Sequence, residues 1–264
     1  MKTTLSIIAF LSFFCLQLFA QNSLVGTWEY KNDSVRSVKI ITPTHWVVYA
    51  ENIKGSETEF IRAHGGTYTI TGKNYIENIE VASWDDYGKE KTDFTFKIVG
   101  DKFYQKGSLI LADGTVYPID EVWNKVKTPN SYDNNPSVGT WDQLSSHYTM
   151  ANGTTDSHTN ATATRFQIIT PTHWMRISHR DNKFENFMGG TYNIYGNKVY
   201  PNFEFISYPT VNFRNLEIDQ RVEGDKMYWN GFAKSLDGEE TFSFEDEFQL
   251  VVPEVKIVED VVKK

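Results

Sequence analysis

Apolar and polar residues alternate along this chain in short runs, and no stretch sustains the period of an amphipathic helix. The runs are rich in Val, Ile, Thr, Tyr and Phe and are bounded by Gly, Asn, Asp and Pro. In the first half they predict about eight strands by this signal, near Val25–Tyr30, Val35–Ile41, His45–Glu51, Gly66–Thr71, Tyr75–Ser83, Thr92–Val99, Lys102–Leu109 and Val116–Val126. Thr71-Gly72-Lys73-Asn74, Val99-Gly100-Asp101 and Ala112-Asp113-Gly114 supply turns in which Gly takes a positive φ. Pro43 fits a turn between the second and third strands better than a place inside one. Short antiparallel strands joined in sequence predict an all-β, up-and-down barrel, whose closure removes exposed edges.

The pattern occurs twice. Ile40-Ile41-Thr42-Pro43-Thr44-His45-Trp46 returns unchanged as Ile168-Ile169-Thr170-Pro171-Thr172-His173-Trp174. Gly26-Thr27-Trp28 matches Gly139-Thr140-Trp141 at an offset of 113, and the Thr-Pro block matches at 128. From Gly65-Gly66-Thr67-Tyr68 and Gly189-Gly190-Thr191-Tyr192 onward the offset settles at 124, through Asn78/Asn202, Glu80/Glu204 and Gly107/Gly231. So many anchors in order indicate duplication, and two long copies predict tandem domains instead of a solenoid.

The expected division is a signal peptide over residues 1–20, barrel 1 over 21–127, a linker over 128–136, barrel 2 over 137–252 and a tail over 253–264. The linker is read from Thr128-Pro129-Asn130-Ser131 to Asn135-Pro136. Copy two carries an insertion around Ser145–Ala163, whose Ser, Thr and Asn content predicts a surface loop. It includes two glycosylation patterns, Asn152-Gly153-Thr154 and Asn160-Ala161-Thr162.

Lys2, the apolar run Leu5–Phe19 and Leu18-Phe19-Ala20 read as a secretory signal cleaved after Ala20. An exported protein, periplasmic or secreted, is expected. The single cysteine, Cys15, falls within that segment, so the mature chain has no thiol or disulfide chemistry. Net charge is −8 with no basic stripe, which argues against nucleic acid as a partner. No later run has the ~20 apolar residues of a membrane helix. Residues 21–127 carry 13 cationic and 15 anionic side chains (net −2), and residues 137–252 carry 9 and 15 (net −6). The copies are therefore expected to differ as binding sites. Oligomeric state is not legible.

Gly26-Thr27-Trp28 and Gly139-Thr140-Trp141, each opening a first strand, resemble the Gly-x-Trp signature of the lipocalin-like (calycin) superfamily. That resemblance implies a Trp plugging one end of each barrel, packed on a basic residue of the last strand. Copy one could supply Lys125, whereas the matching strand of copy two, Glu247–Val252, has none. The fuller set includes Thr-Pro-Thr-His-Trp, Gly-Gly-Thr-Tyr, the strand near Glu80 and Asp120-Glu121-Val122-Trp123. It resembles a group of secreted bacterial lipocalin-like domains of unknown function.

Candidate ligand contacts are the matched polar and aromatic residues: Tyr68, Asn78, Glu80 and Tyr104 in copy one, and Tyr192, Asn202, Glu204 and Tyr228 in copy two. Asn78-x-Glu80 and Asn202-x-Glu204 have the period-two spacing that puts both side chains on one face of a strand. A barrel interior is where side chains from several strands converge. Solvated or packed positions are the bland alternative. Trp28, His45, Trp46, Trp141, His173 and Trp174 are read as structural or rim residues. Glu121 and Glu247, preceded by Asp120 and Asp246, end each copy, but neighbouring strand residues face opposite ways and cannot form an acid/base pair alone. No catalytic set, metal cluster or cofactor motif is read. Three functions stay open: a non-enzymatic binder of a small hydrophobic or amphipathic molecule or a glycan fragment, a hydrolase or isomerase using Glu and His, and a solid-cored interaction module.

Overall fold

The computed structural model describes residues 23–55, 57–85, 87–127, 134–160, 163–180, 183–207, 215–234 and 241–253. The expected signal, linker residues 128–133 and the tail beyond 253 lie outside the described residues. The protein is all-β, two closed antiparallel barrels of eight strands each with almost no helix. The first contains β1 (Gly26–Lys31), β2 (Val35–Ile41), β3 (His45–Lys54), β4 (Glu57–Thr71), β5 (Asn74–Glu77), β6 (Val81–Ala82), β7 (Lys91–Val99), β8 (Lys102–Ile110) and β9 (Val116–Lys125). β6 continues β5 along β4, and β9 closes on β1 through Trp28↔Lys125 and Glu29↔Asn124.

The second contains β10 (Gly139–Met150), β12 (Ala163–Ile169), β13 (His173–Arg180), β14 (Lys183–Tyr195), β15 (Lys198–Ile206), β16 (Asn215–Glu223), β17 (Lys226–Lys234) and β18 (Thr241–Leu250), while β11 (Thr155–Thr159) pairs only with β10. Here closure is longer, β10 pairing with β18 from Trp141↔Leu250 to Met150↔Phe242. Trp28 and Trp141 are buried at equivalent places, each donating Nε1–H to the backbone four residues earlier, at Leu24 and Ser137 (2.7 Å in both). Lys125 Nζ lies 5.3 Å from the centre of the Trp28 ring, while Trp141 faces Leu250 across the ladder.

Two sequence expectations are corrected. The run Tyr75–Ser83 is not one strand: β5 ends at Glu77 and β6 begins at Val81. In copy two the strand is continuous, but Phe205 pairs with Gly189 and Phe203 with Gly190, so Glu204 is the extra residue of a bulge. Phe203 faces inward in step with Val199, and the bulge after it reverses the alternation, turning Phe205 outward. Its bulged backbone crosses directly over Gly190, where an added Cβ would sit 2.1 Å from Asn202 O, and Gly66 meets Asn78 O in the same way. With φ near +152° and +156° as well, these positions accept only glycine.

The second correction concerns the insertion. The segment read as a surface loop is mostly ladder: β10 runs on to Met150 and turns back into β11, with Ser145↔Thr159 through Thr149↔Thr155. It raises one wall of barrel 2 beyond the height of its counterpart in barrel 1.

The two barrels pack through β2, β3 and β4 of the first and β12, β13 and β14 of the second. Val38, Ile40, Val47, Tyr49, Ala63 and Val81 meet Phe166, Ile168, Met175, Ile177, Phe187 and Phe205 in one buried cluster. The Tyr49 ring stacks on Phe205 and Phe187, with centroids 4.0 and 5.6 Å apart. The repeated Thr-Pro-Thr turns take part directly. Thr27 bonds to Thr170 (2.6 Å), and the matching pair Thr42 and Thr140 bonds at 2.7 Å. Each copy thus offers the same threonines and receives the same ones, an arrangement related by an approximate two-fold.

Candidate ligand site

The interiors of the barrels diverge although their frames match. In barrel 1 the buried Lys39 donates to Glu77 (2.7 Å) and Gln105 (2.9 Å). Its ammonium sits 5.2 Å from the Trp46 ring and 5.1 Å from Trp123, within a core that also holds Trp28, Tyr75 and Phe103. Glu121, also interior, is pushed up by burial, against which the charge of Lys39 works. The positions equivalent to Lys39, Glu77 and Gln105 in barrel 2 are Gln167, Pro201 and Trp229, so that ionic plug is gone.

Barrel 2 instead encloses a cavity of about 340 Å³. Trp174 and Trp229 form its floor, with rings edge-to-face at 6.3 Å, and a small second void lies beyond them. Met188, Phe203, Ile206, Leu216, Ile218 and Phe244 supply apolar walls. The extended hairpin contributes Tyr148, Met150, Thr154, Thr155, Asp156 and His158 towards the mouth. The insertion is therefore part of the container.

Polar groups enter this cavity on three adjacent strands. Arg165, Ser178 and Asn186 are register partners across β12, β13 and β14, and Gln167, Arg176 and Met188 form the next row. Arg176 donates Nε–H to Gln167 (3.1 Å) and an Nη2–H to Asp246 (3.0 Å), and its guanidinium lies 5.6 Å from the Trp229 ring centre. Asp246 is buried and also accepts from Ser146. Arg165 donates to Glu185 (2.8 Å) and approaches the Tyr148 hydroxyl at 3.4 Å. Four buried polar atoms around the cavity have no hydrogen-bond partner among the described residues: Arg165 Nε, Gln167 Nε2, Trp174 Nε1 and Asn186 Oδ1. In barrel 1 the equivalent Trp46 donates its Nε1–H to Thr67 O at 3.0 Å.

The eight residues singled out from the sequence do not converge, and none lines the 340 Å³ cavity. Tyr68 and Tyr192 point inward but give their hydroxyls to Thr42 O (2.7 Å) and Thr170 O (2.5 Å), fixing the repeated turn from within. Tyr104 and Tyr228 lie on outer faces: Tyr104 is 38% exposed, and Tyr228 carries the Arg221 guanidinium on its ring. Asn78 and Asn202 are exposed and donate to Thr67 and Thr191. Glu80 and Glu204 are outside the barrels, bulged towards the seam between them. The pairs do share one face, but it is the outer one: Tyr75, Ile79, Val199 and Phe203 alternate inward, which leaves Asn78, Glu80, Asn202 and Glu204 outside.

At that seam His45 Nε2 lies 3.8 Å from Glu80, and His173 Nε2 lies 3.8 Å from Glu204. Burial lowers the pKa of both imidazoles, opposed by the facing carboxylates. Arg36 bridges Glu29 (2.7 Å) and Glu204 (2.8 Å) across the two barrels. Asp142, the counterpart of Glu29, is instead raised by burial and by Glu80.

The residues that sequence reasoning missed are Arg165, Arg176 and Asp246. A signal existed: at the constant offset of 128, Ser37 becomes Arg165 and Val48 becomes Arg176, charge replacing small or apolar residues at inward positions. Asp246 was obscured by matching Glu121 to Glu247. The ladder pairs Gln105 with Glu121 and the equivalent Trp229 with Asp246, so Asp246 holds Glu121's place.

No family model matches the chain, and no curated protein matches it. Among solved structures it is similar to a protein of unknown function from the DUF3598 family of Nostoc punctiforme, at 11% identity and a TM-score of 0.25, covering 89% of this chain and 98% of that one. A DNA polymerase sliding clamp from Pseudomonas aeruginosa matches at 9% identity and a TM-score of 0.13, over 93% of this chain and 62% of that one. Among the described residues no helix is long and apolar enough to cross a membrane.

Proposed function

We propose that this chain is an exported, non-enzymatic binding protein of lipocalin-like type, whose second barrel takes up one small amphipathic molecule. The observation that carries the reading is the 340 Å³ cavity, apolar over most of its wall with a few convergent polar side chains, the usual constitution of a small-molecule site. Its methionines, phenylalanines and tryptophans suit a hydrocarbon body better than a glycan. Barrel 1, filled by Lys39 and its ring of aromatics, serves as the packed partner that holds β12–β14 in place. Export rests on Lys2, the apolar run Leu5–Phe19 and Leu18-Phe19-Ala20.

The acid/base alternative finds little support. The imidazole–carboxylate pairs stand at 3.8 Å, beyond the roughly 3.2 Å of a working hydrogen bond, and lie at the seam and not in a cavity. The test is native mass spectrometry of the secreted chain, together with titration of the uncharged dye Nile red. One retained small molecule, or one saturable dye site per chain that quenches tryptophan, is the expected result. A chain that carries nothing and leaves the dye in water would sink the reading.

A further inference from the structure

The charges and hydrogen-bonding atoms around the barrel 2 cavity restrict what it can hold. The guanidinium groups are already matched. Arg176 faces Asp246 at 3.0 Å, and Glu185 is shared by Arg165 (2.8 Å) and Arg180 (2.9 Å). Asp156 faces His158 at 3.0 Å, and His158 is held below its ordinary range by burial and by Arg165. Three guanidiniums thus stand against three carboxylates, and the cluster is electroneutral. A charged guest would have to shed its hydration without gaining an unmatched countercharge, a cost that an uncharged guest avoids.

Hydrogen-bonding capacity is unbalanced in the other direction. Arg176 commits Nε and Nη2 to Gln167 and Asp246, and its Nη1 has no partner among the described residues. Among the described residues Arg165 Nε is without a partner, and so is the Trp174 Nε1 on the floor. Asn186, in the same cross-strand row as Arg165, makes no side-chain hydrogen bond among the described residues. The unused groups are mostly donors, gathered on β12–β14 beside an otherwise apolar chamber. Arg165 Nε, Arg176 Nη1 and Trp174 Nε1 call for an acceptor on the guest, while Asn186 Oδ1, itself an acceptor, can take an N–H where the guest has one.

We infer that the ligand is an uncharged amphipathic carbonyl compound, of the amide or ester class. Its carbonyl oxygen is directed at the Arg176–Asn186 side, and its hydrocarbon body lies against Met188, Phe203 and Leu216. This rests on the reading of barrel 2 as a small-molecule site and adds the chemistry of the head group.

The experiment uses the full secreted chain and displacement of Nile red by decanamide, decanoate and decylamine, which differ only at the head. Decanamide should displace the dye at roughly tenfold lower concentration than either charged probe, about the worth of one hydrogen bond plus the charge burial avoided. Asn186→Leu should cost decanamide roughly tenfold more than it costs Nile red, since it removes a polar contact at nearly constant volume. Decanoate or decylamine binding tightest, or three probes of equal strength, would overturn the head-group assignment while the binding site itself stood. Failure of Nile red to bind at all would overturn the site and the assignment with it.

Discussion

At the scale of single residues, the Arg176–Asp246 pair shows how a charge can sit inside a barrel. Asp246 is fully buried and finds both Arg176 and Ser146, so removing the cation alone strands an anion in the core. Arg176→Ala should destabilise the protein by about 3–5 kcal/mol in urea unfolding, and Arg176→Met with Asp246→Leu should recover most of that loss. The histidines at the seam set a pH dependence. An unfolded imidazole, with a pKa of about 6.5, takes up a proton that buried His45 and His173 resist. Their contribution is therefore complete above the unfolded value and is lost as pH falls through that value towards the folded ones. Asp142 has the opposite sign: raised by burial and by Glu80, its contribution is present at low pH and lost as pH rises through its folded value. Melting followed from about pH 7.5 to 5.5 should show a smaller fall for the His45→Gln/His173→Gln double variant than for the wild type, and Asp142→Asn should melt higher than wild type at the upper end.

At the scale of elements, the turns and the two glycine pairs were legible because local backbone geometry dictates them. Gly72, Gly100 and Gly114 take positive φ where turns were read. The matched Gly65-Gly66 and Gly189-Gly190 mark the place where a bulge crosses β4 and β14. The bulge itself was not legible, since one added residue leaves no compositional trace while reversing every face beyond it. Glu80 and Glu204 stand at the seam because they share the outer face with Asn78 and Asn202, and alternation alone does not say which face of a strand is the inner one. The β10–β11 hairpin was misread for a different reason. Its Ser, Thr and Asn residues match a loop in composition, but β18 on one flank and β11 on the other satisfy the β10 backbone. Replacing Ser146–Asn160 by the short turn of copy one, Asn32-Asp33-Ser34, should leave far-UV circular dichroism β-type. The same replacement should weaken Nile red binding by roughly tenfold or more, because Tyr148, Met150 and Thr155 leave the wall.

At the scale of the whole molecule, the unchanged seven-residue block finds its reason in the contact between barrels. A two-fold contact asks the same patch to serve on both sides, so Thr42 must suit Thr140 just as Thr170 suits Thr27. Interiors are under no such mutual demand, and there the copies have parted, Lys39 in one and Arg165 and Arg176 on adjacent rows in the other. Repetition in the sequence thus reported the seam, while the candidate site lay where the repeats disagree.

A self-complementary seam also has no means of telling its own second half from that of a neighbouring molecule. What keeps the handshake within one chain is tethering: residues 126–138 hold the halves at an effective concentration of order millimolar, far above that of free chains. Shorten the tether and the same bonds can be made only between molecules, first as exchanged pairs and then as open strings. Deleting residues 129–134 should therefore give dimers and larger species by size-exclusion chromatography with light scattering, their Nile red sites intact. A monomer of unchanged melting temperature would show that the tether has length to spare.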